Sequence, residues 1–299
     1  MGTARSRSPA TPHRDSILVQ QPRSTAVPAP GVSRPQRPDH RTKRTPMAEK
    51  DDYLAGAPCW VDTLQPDPRA ALRFYGQLFG WSFDEATPMP TGLVEGEYFT
   101  ARLGGHRVAG IGQAPPASPA MWMTHVRVDD LEQAVVRAEA AGGTHLLRPT
   151  DTGSDGRLAV LKDSTGVPFC LWQAGARTGA ELVGEPGTWA MSSLHSTDPE
   201  QAQSFYGAAF GWELEPVPGA PFSKWLLAGQ VVALLTATDG LAVPPHWSIN
   251  FAVRDADAIA EHATSLGGKV LMAPFDTTGF RNAVITDPQG GVIAVSAPA

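Results

Sequence analysis

The chain has 299 residues, of which 42% are hydrophobic, and a formal net charge of −6. This length and apolar content predict about two globular domains with hydrophobic cores. The apolar runs are much shorter than the ~20 residues of a membrane-spanning helix, and two cysteines cannot support a disulfide framework. We therefore expect a soluble cytoplasmic protein that does not act at a membrane.

Charge and proline content separate residues 1–52 from the rest of the chain. Nine Lys/Arg and two Asp occur before Met47, whereas 28 Asp/Glu and 15 Lys/Arg follow from Met47 onward. The first segment has too few apolar residues to offset the entropy of an ordered chain. We predict a disordered, basic, Pro/Arg-rich tail and an acidic body that does not bind nucleic acid. A nucleic-acid-binding or targeting tail is the alternative.

The first predicted elements lie between residues 59 and 111. Residues 59–65 are predicted to form a strand. Asp67 then caps a helix whose apolar residues recur at helical spacing, and Gly80 ends that helix. Two strands at 98–103 and 107–111 follow as a hairpin around a Gly-Gly turn.

A second set of elements begins at residue 122. Residues 122–128 alternate between apolar and polar, as a strand does, and Asp130 caps a helix that stops at Gly142-Gly143. Strands at 158–161 and 168–172 follow. Both sets therefore indicate a module with the order strand, helix, then further strands.

The second half of the chain repeats the first. Three motifs recur about 131 residues later in the chain. Asp67-Pro68 recurs as Asp198-Pro199, Phe74-Tyr75-Gly76 as Phe205-Tyr206-Gly207, and Phe79-Gly80-Trp81 as Phe210-Gly211-Trp212. Trp122, Asp130 and Asp163 recur as Trp247, Asp255 and Asp287. These matches predict a first block at 55–174, a linker at 175–187 and a second block at 188–297.

Several of these motifs carry a family resemblance. The motifs that carry the resemblance are Cys59-Trp60-Val61-Asp62, Asp67-Pro68, Phe74-Tyr75, Leu78-Phe79-Gly80-Trp81 and Asp287-Pro288-Gln289-Gly290. Through these motifs the chain resembles the vicinal oxygen chelate superfamily of glyoxalases, bleomycin-resistance proteins and dioxygenases. The likeness is closest to duplicated bacterial members labelled glyoxalase-like or hydroxylase. It implies an α+β fold with two tandem glyoxalase-like domains, each built from two βαβββ modules that curl a mixed sheet around a cavity.

The resemblance also implies where a metal would be held. In metal-dependent members, His, Glu or Gln on the first and last strands bind a divalent cation. The corresponding positions here are Trp60, Met123 and Cys170 in the first block, and Met191, Ser248 and Ala294 in the second. None of these residue types suits such a cation. We therefore expect no metal and no other cofactor, and neither glyoxalase nor dioxygenase activity.

Alternation along the strands predicts which side chains line the cavities. In the first block, Asp62, His125 and Arg127 are candidate catalytic residues, because a carboxylate can tune an imidazole for acid–base chemistry near neutral pH. The alternative is that Asp62 and His125 form a charge pair that only neutralises its own charges and takes no part in catalysis. The candidate ligand contacts are Trp60, Met123, Cys170 and Trp172 in the first block and His195, His246 and Asn250 in the second.

These residues support three hypotheses about function. The leading one is metal-independent binding of a hydrophobic or aromatic small molecule, with drug sequestration as one use. The second is a metal-free enzyme, such as a cyclase, isomerase or hydroxylase-like catalyst. The third is an interaction protein whose cavities no longer bind ligands. Each block contains both of its modules, so a monomer suffices, and a homodimer is the other possibility.

Overall fold

The structure is a computed structural model that describes residues 52–238 and 244–299. Apart from its last residue, the predicted tail at 1–52 lies outside these ranges. All of the described residues belong to one compact unit. None of the helices in the described ranges has the length and apolar character needed to cross a membrane.

The first block contains nine strands and two helices in the described chain. They are β1 (Pro58–Gln65), α1 (Pro68–Phe79), β2 (Ser82–Phe83), β3 (Thr87–Pro88), β4 (Glu97–Leu103), β5 (His106–Gln113), β6 (Met121–Val128), α2 (Leu131–Ala140), β7 (Thr144–Asp151), β8 (Gly156–Lys162) and β9 (Pro168–Ala174). Asp67 and Asp130 cap the two helices by accepting hydrogen bonds from backbone N–H groups, as predicted. Gly80 ends α1 with a φ of 74°, a left-handed conformation that favours glycine.

The second block repeats this order. Its elements are β10 (Trp189–Ser196), α3 (Pro199–Phe210), β11 (Glu213–Pro216), β12 (Phe222–Leu227), β13 (Gln230–Ala237), β14 (His246–Ala252), α4 (Ala256–Ser265), β15 (Lys269–Thr277), β16 (Phe280–Thr286) and β17 (Val292–Pro298). The repeated Asp198 and Asp255 cap α3 and α4 in the same way. The sequence repeat is therefore also a structural repeat.

Each block forms one mixed sheet. The strand order is β2-β4-β5-β1-β6-β9-β8-β7 in the first, where the short β3 also pairs with β4, and β11-β12-β13-β10-β14-β17-β16-β15 in the second. At the centre of the first sheet, β1 and β6 pair antiparallel, and each has a parallel partner on its other side, β5 and β9 respectively. Two βαβββ modules thus join through their first strands, which confirms the predicted α+β tandem fold.

The helices pack across the boundary between the blocks. Helix α1 contacts α4, and α2 contacts α3. The rings of Phe79 and Phe251 are 5.0 Å apart in one core, and those of Phe169 and Phe205 are 5.9 Å apart in the other. Each of these two hydrophobic cores therefore contains residues from both blocks.

Candidate functional site

The first sheet borders a cavity of about 450 Å³. Side chains of β1, β4, β6 and β8 form its inner wall, and the segments 87–91 and 151–155, which include the ends of β3 and β7, also line it. The residues that line it are Asp62, Thr87, Pro88, Met89, Pro90, Thr91, Tyr98, Thr100, His125, Asp151, Thr152, Gly153, Ser154, Asp155, Leu158 and Arg177. This volume falls within the range of small-molecule sites in proteins.

A chain of hydrogen bonds crosses the inner wall. Trp60 Nε1 donates to Tyr98 Oη at 3.0 Å, and Tyr98 Oη donates to Asp62 Oδ2 at 3.0 Å. Asp62 lies opposite Gly110 on β5, and a Cβ at Gly110 would overlap the Tyr98 hydroxyl. Burial, with the nearby charge of Asp62, raises the pKa of Tyr98 well above 10, so this hydroxyl stays protonated and keeps donating.

His125 lies beside this chain with unused hydrogen-bonding capacity. It is opposite Trp60 in the β1–β6 register, and it is only 2% exposed. His125 Nε2 is 3.0 Å from Asp62 Oδ1, but the alignment is too poor for a hydrogen bond, and Nδ1 has no partner either. Buried polar atoms usually have a partner, so this ring can bind a polar group in the cavity.

Arg177 contributes a buried positive charge from the linker. Its side chain lies against two aromatic rings, with Cζ 4.7 Å from the ring centroid of Trp60 and 4.1 Å from that of Trp172. Arg177 Nε is 3.4 Å from Asp155 Oδ2, close enough for an ion pair. Neither Nε nor Nη1 makes a hydrogen bond, although both atoms are buried.

Backbone contacts hold Arg177 in this position. The backbone N–H groups of Gly175 and Arg177 donate to Asp155 O at 2.8 and 3.1 Å. Trp172 Nε1 donates to Arg177 O at 2.8 Å. The start of the linker is thus fixed to the 3₁₀ turn Gly153–Asp155. Sequence reasoning missed both Arg177 and Tyr98 as site residues, because it treated 175–187 only as a connection and Tyr98 only as part of a strand.

The other first-block candidates lie outside the cavity lining. Met123, Cys170 and Trp172 are at most 4% exposed and belong to a hydrophobic core. Burial, together with the charge of Asp62, raises the pKa of the Cys170 thiol, so it stays protonated. Arg127 pairs with Asp129 at 3.0 Å and does not line the cavity. Trp60 is also buried outside the lining and reaches Asp62 only through Tyr98. The structure therefore places only Asp62 and His125 of the first-block candidates in the lining, and the predicted roles stay predictions.

The second-block candidates lie on the other sheet. His195 on β10 and His246 on β14 are cross-strand neighbours, and their rings stack 4.7 Å apart. Burial and the neighbouring His246 lower the pKa of His195 to about 4. Asn250 Nδ2 donates to Ser296 Oγ at 2.8 Å, while Asn250 Oδ1 is buried without a partner. All three side chains are more exposed than His125.

Comparison with known proteins assigns the fold to a family. The sequence profile of the glyoxalase-like domain matches residues 60–172 and again residues 177–296. The chain belongs to this family. The provisionally named glyoxylase CFP32 of Mycobacterium tuberculosis is 37% identical over 85% of this chain and 99% of its own length. The anthracycline biosynthesis protein DnrV of Streptomyces peucetius is 33% identical over 81% of this chain and 94% of its own length.

Solved structures of the superfamily share the fold. The Mn(II)-bound glyoxalase of Novosphingobium aromaticivorans superposes with a TM-score of 0.58 at 15% identity, covering 81% of this chain and 82% of that protein. The 2,3-dioxygenase LapB of Pseudomonas sp. KL28 gives a TM-score of 0.57 at 12% identity, covering 81% and 92%. The predicted resemblance to the vicinal oxygen chelate superfamily is confirmed.

The first-block cavity of this family member does not fit a divalent metal. The lining carries His125 and the carboxylates of Asp62, Asp151 and Asp155, but Asp151 pairs with Arg157 and Asp155 lies beside Arg177. The predicted ligand positions carry Trp60, Met123 and Cys170. The buried guanidinium of Arg177 adds a positive charge, which opposes a bound cation. Within the described ranges, no group of three or more His, Cys, Asp or Glu residues could hold a metal ion.

Proposed function

We propose that the chain binds a hydrophobic or aromatic small molecule, without a metal, in the cavity of its first block. The observation that carries this proposal is a cavity of about 450 Å³ in which buried nitrogen atoms of His125 and Arg177 lack hydrogen-bond partners. A ligand that supplied those partners would remove the cost of leaving buried polar atoms unpaired. Met89, Leu158 and the prolines of the lining give it apolar contact.

A relative supports an aromatic ligand. DnrV, which is 33% identical to this chain, is named for anthracycline biosynthesis, and an anthracycline contains flat fused aromatic rings. A ligand of this shape suits a cavity between sheet residues and flanking loops. Sequestration of such a compound is one biological use of the site.

Thermal unfolding in the presence of flat aromatic compounds tests the proposal. A ligand of the folded state raises the Tm by mass action. Leu158→Trp, which fills the cavity, should abolish the shift. Val284→Trp on the second sheet is the matched control and should keep it. Elemental analysis of protein purified without chelator should find no stoichiometric iron, manganese, nickel or zinc; such a metal, or no shift with any compound, would refute the proposal.

A second candidate function is metal-free catalysis on the same ligand. The observation that favours it is the buried contact of 3.0 Å between His125 Nε2 and Asp62 Oδ1, with Tyr98 bound to the other carboxylate oxygen. Asp62 would orient the imidazole, and His125 would take up and return a proton of the substrate.

Mass spectrometry of incubated aromatic substrates tests this candidate. His125→Gln and Asp62→Asn should each slow product formation by about 10²–10⁴-fold if the imidazole transfers a proton. His246→Gln in the second block is the matched control and should leave the rate unchanged. A substrate turned over equally well by all three variants would exclude this mechanism.

A further inference from the structure

We propose that Arg177 is the ligand-binding cation of the first-block cavity, and that the ligand is a flat aromatic compound with an acidic oxygen. The oxygen belongs to a carboxylate or to the ionised hydroxyl of a phenol or enol. This inference rests on the proposed binding function and adds the chemical class of the ligand.

The guanidinium of Arg177 has hydrogen-bond donors that no residue uses. Arg177 is 5% exposed, lines the cavity, and leaves buried Nε and Nη1 without hydrogen bonds. A buried charged group without partners is costly, so a site of this kind gains most from a ligand that supplies acceptors. A negatively charged oxygen is the acceptor that a guanidinium binds most strongly.

Three aspartates, Asp62, Asp151 and Asp155, also line the cavity and would repel an anion if nothing offset their charges. Asp62 already accepts from Tyr98 and contacts His125. Asp151 accepts from Arg157 Nε at 2.9 Å, which offsets its charge.

Asp155 is the remaining competitor for Arg177. It lies 3.4 Å from Nε, and its side chain is 42% exposed, so water screens its charge. A ligand oxygen that accepts an aligned hydrogen bond from Arg177 inside the cavity would therefore replace Asp155 as its partner.

The side chain of Arg177 is already held in place without a ligand. Trp60 and Trp172 contact its guanidinium, and two backbone hydrogen bonds fix the adjoining linker to the 153–155 turn. A fixed cation loses little conformational entropy on binding, which raises affinity and specificity. His125, whose Nδ1 has no hydrogen-bond partner, provides a second polar contact in the same cavity.

Three probes that share one ring system test the inference. Isothermal titration compares 2-naphthoate, neutral 2-naphthol and the cationic 2-naphthylmethylammonium. We expect 2-naphthoate to bind at least about tenfold more tightly than the ammonium probe, as a charge-assisted hydrogen bond should provide. Arg177→Met should remove this preference, and Arg177→Lys should restore part of it, because lysine keeps the charge but not the planar fork.

A second variant, Asp155→Asn, tests the same inference if the Arg177 variants fail to fold. This substitution removes the competing carboxylate at an exposed position and should tighten 2-naphthoate binding severalfold. The matched control is Asp129→Asn, whose carboxylate pairs with Arg127 outside the cavity lining. It should leave the affinity unchanged.

The outcomes separate this inference from the function it rests on. Binding of all three probes with equal affinity, or tighter binding of the ammonium probe, would overturn the role of Arg177 while the binding function stands. A naphthoate preference that survives Arg177→Met, or no response to Asp155→Asn, would overturn it equally. Failure of all three probes to bind would instead count against the binding function itself.

Discussion

Tyr75 in the first block donates a hydrogen bond of 2.8 Å to Asp287 in the second block. The repeat provides the reverse contact, because Tyr206 in the second block donates to Asp163 in the first at 2.9 Å. All four side chains are buried. Two equivalent hydrogen bonds therefore link the blocks. Each acceptor lies in the turn before the strand that comes last in its block along the chain, β9 or β17.

Removing one of these hydroxyl groups should weaken the whole unit. We expect Tyr75→Phe to lower the free energy of unfolding by about 1–3 kcal/mol, because a buried carboxylate loses a donor. Urea unfolding measures the change, and Tyr206→Phe is the matched variant. A double-mutant cycle with Asp287→Asn should give a clear coupling energy. A coupling near zero would mean that the contact contributes nothing.

The buried tyrosines should make the fold sensitive to alkaline pH. Burial raises the pKa values of Tyr75 and Tyr206 well above 10, with the charges of Asp287 and Asp163 adding to the effect. Above pH 10 the unfolded chain loses protons that the folded chain keeps, so stability falls by about 1.4 kcal/mol per pH unit for each tyrosine. Urea unfolding at a series of alkaline pH values should show a shallower decline for Tyr75→Phe. An unchanged slope would contradict this.

His195 should make the fold sensitive to acid. Its folded pKa of about 4 lies below the ordinary value of 6.5, first through burial and second through His246. Between pH 6.5 and 4 the unfolded chain binds more protons, so the stability present above pH 6.5 is lost as the pH falls through this window.

An NMR titration of the His195 ring should report this low pKa directly. His246→Gln should raise the pKa while leaving it below 6.5, because burial is the larger cause. His195→Gln should flatten the dependence of stability on pH in the same window. A His195 that titrates near 6.5 in the unmodified protein would refute the assignment.

Gly110 should be intolerant of a side chain. A Cβ there would overlap the Tyr98 hydroxyl and lie 2.9 Å from Asp62 Cβ. We expect Gly110→Ala to cost about 1–3 kcal/mol of stability through overpacking and to disturb ligand binding. The double variant with Tyr98→Phe should recover part of the stability, since the clashing hydroxyl is gone. Equal stability of Gly110→Ala and the unmodified protein, measured by urea unfolding, would contradict this packing.

Local patterns were sufficient to predict much of the fold. Asp67 and Asp130 cap helices as expected, because an N-cap depends on only a few neighbouring residues. Strand alternation also placed Asp62 and His125 on the same face of the first sheet, and the cross-strand register agrees.

The completed cavity depends on contacts between distant parts of the chain. Trp60 and Trp172, which come from different strands, fix the position of Arg177, so nothing in its own Gly-rich segment predicts that position. The position of Tyr98 likewise depends on the missing side chain of Gly110. Alternation predicts which face a residue occupies, but not which other residue covers it, as the buried Met123 and Cys170 illustrate.

The cores shared between the blocks constrain how the two copies can diverge. A substitution on α1 must suit α4, and one on α2 must suit α3, because each pair packs across the boundary. The two sheets share this constraint where β6 contacts β14 and where Thr124 Oγ1 donates to Ser192 Oγ. Loop residues that line the first-block cavity, such as Thr91 and Ser154, belong to neither shared core, so they can change without a matching change in the second block. After the duplication, residues of the cavity lining could change separately in each block. Residues of the shared cores could change only together.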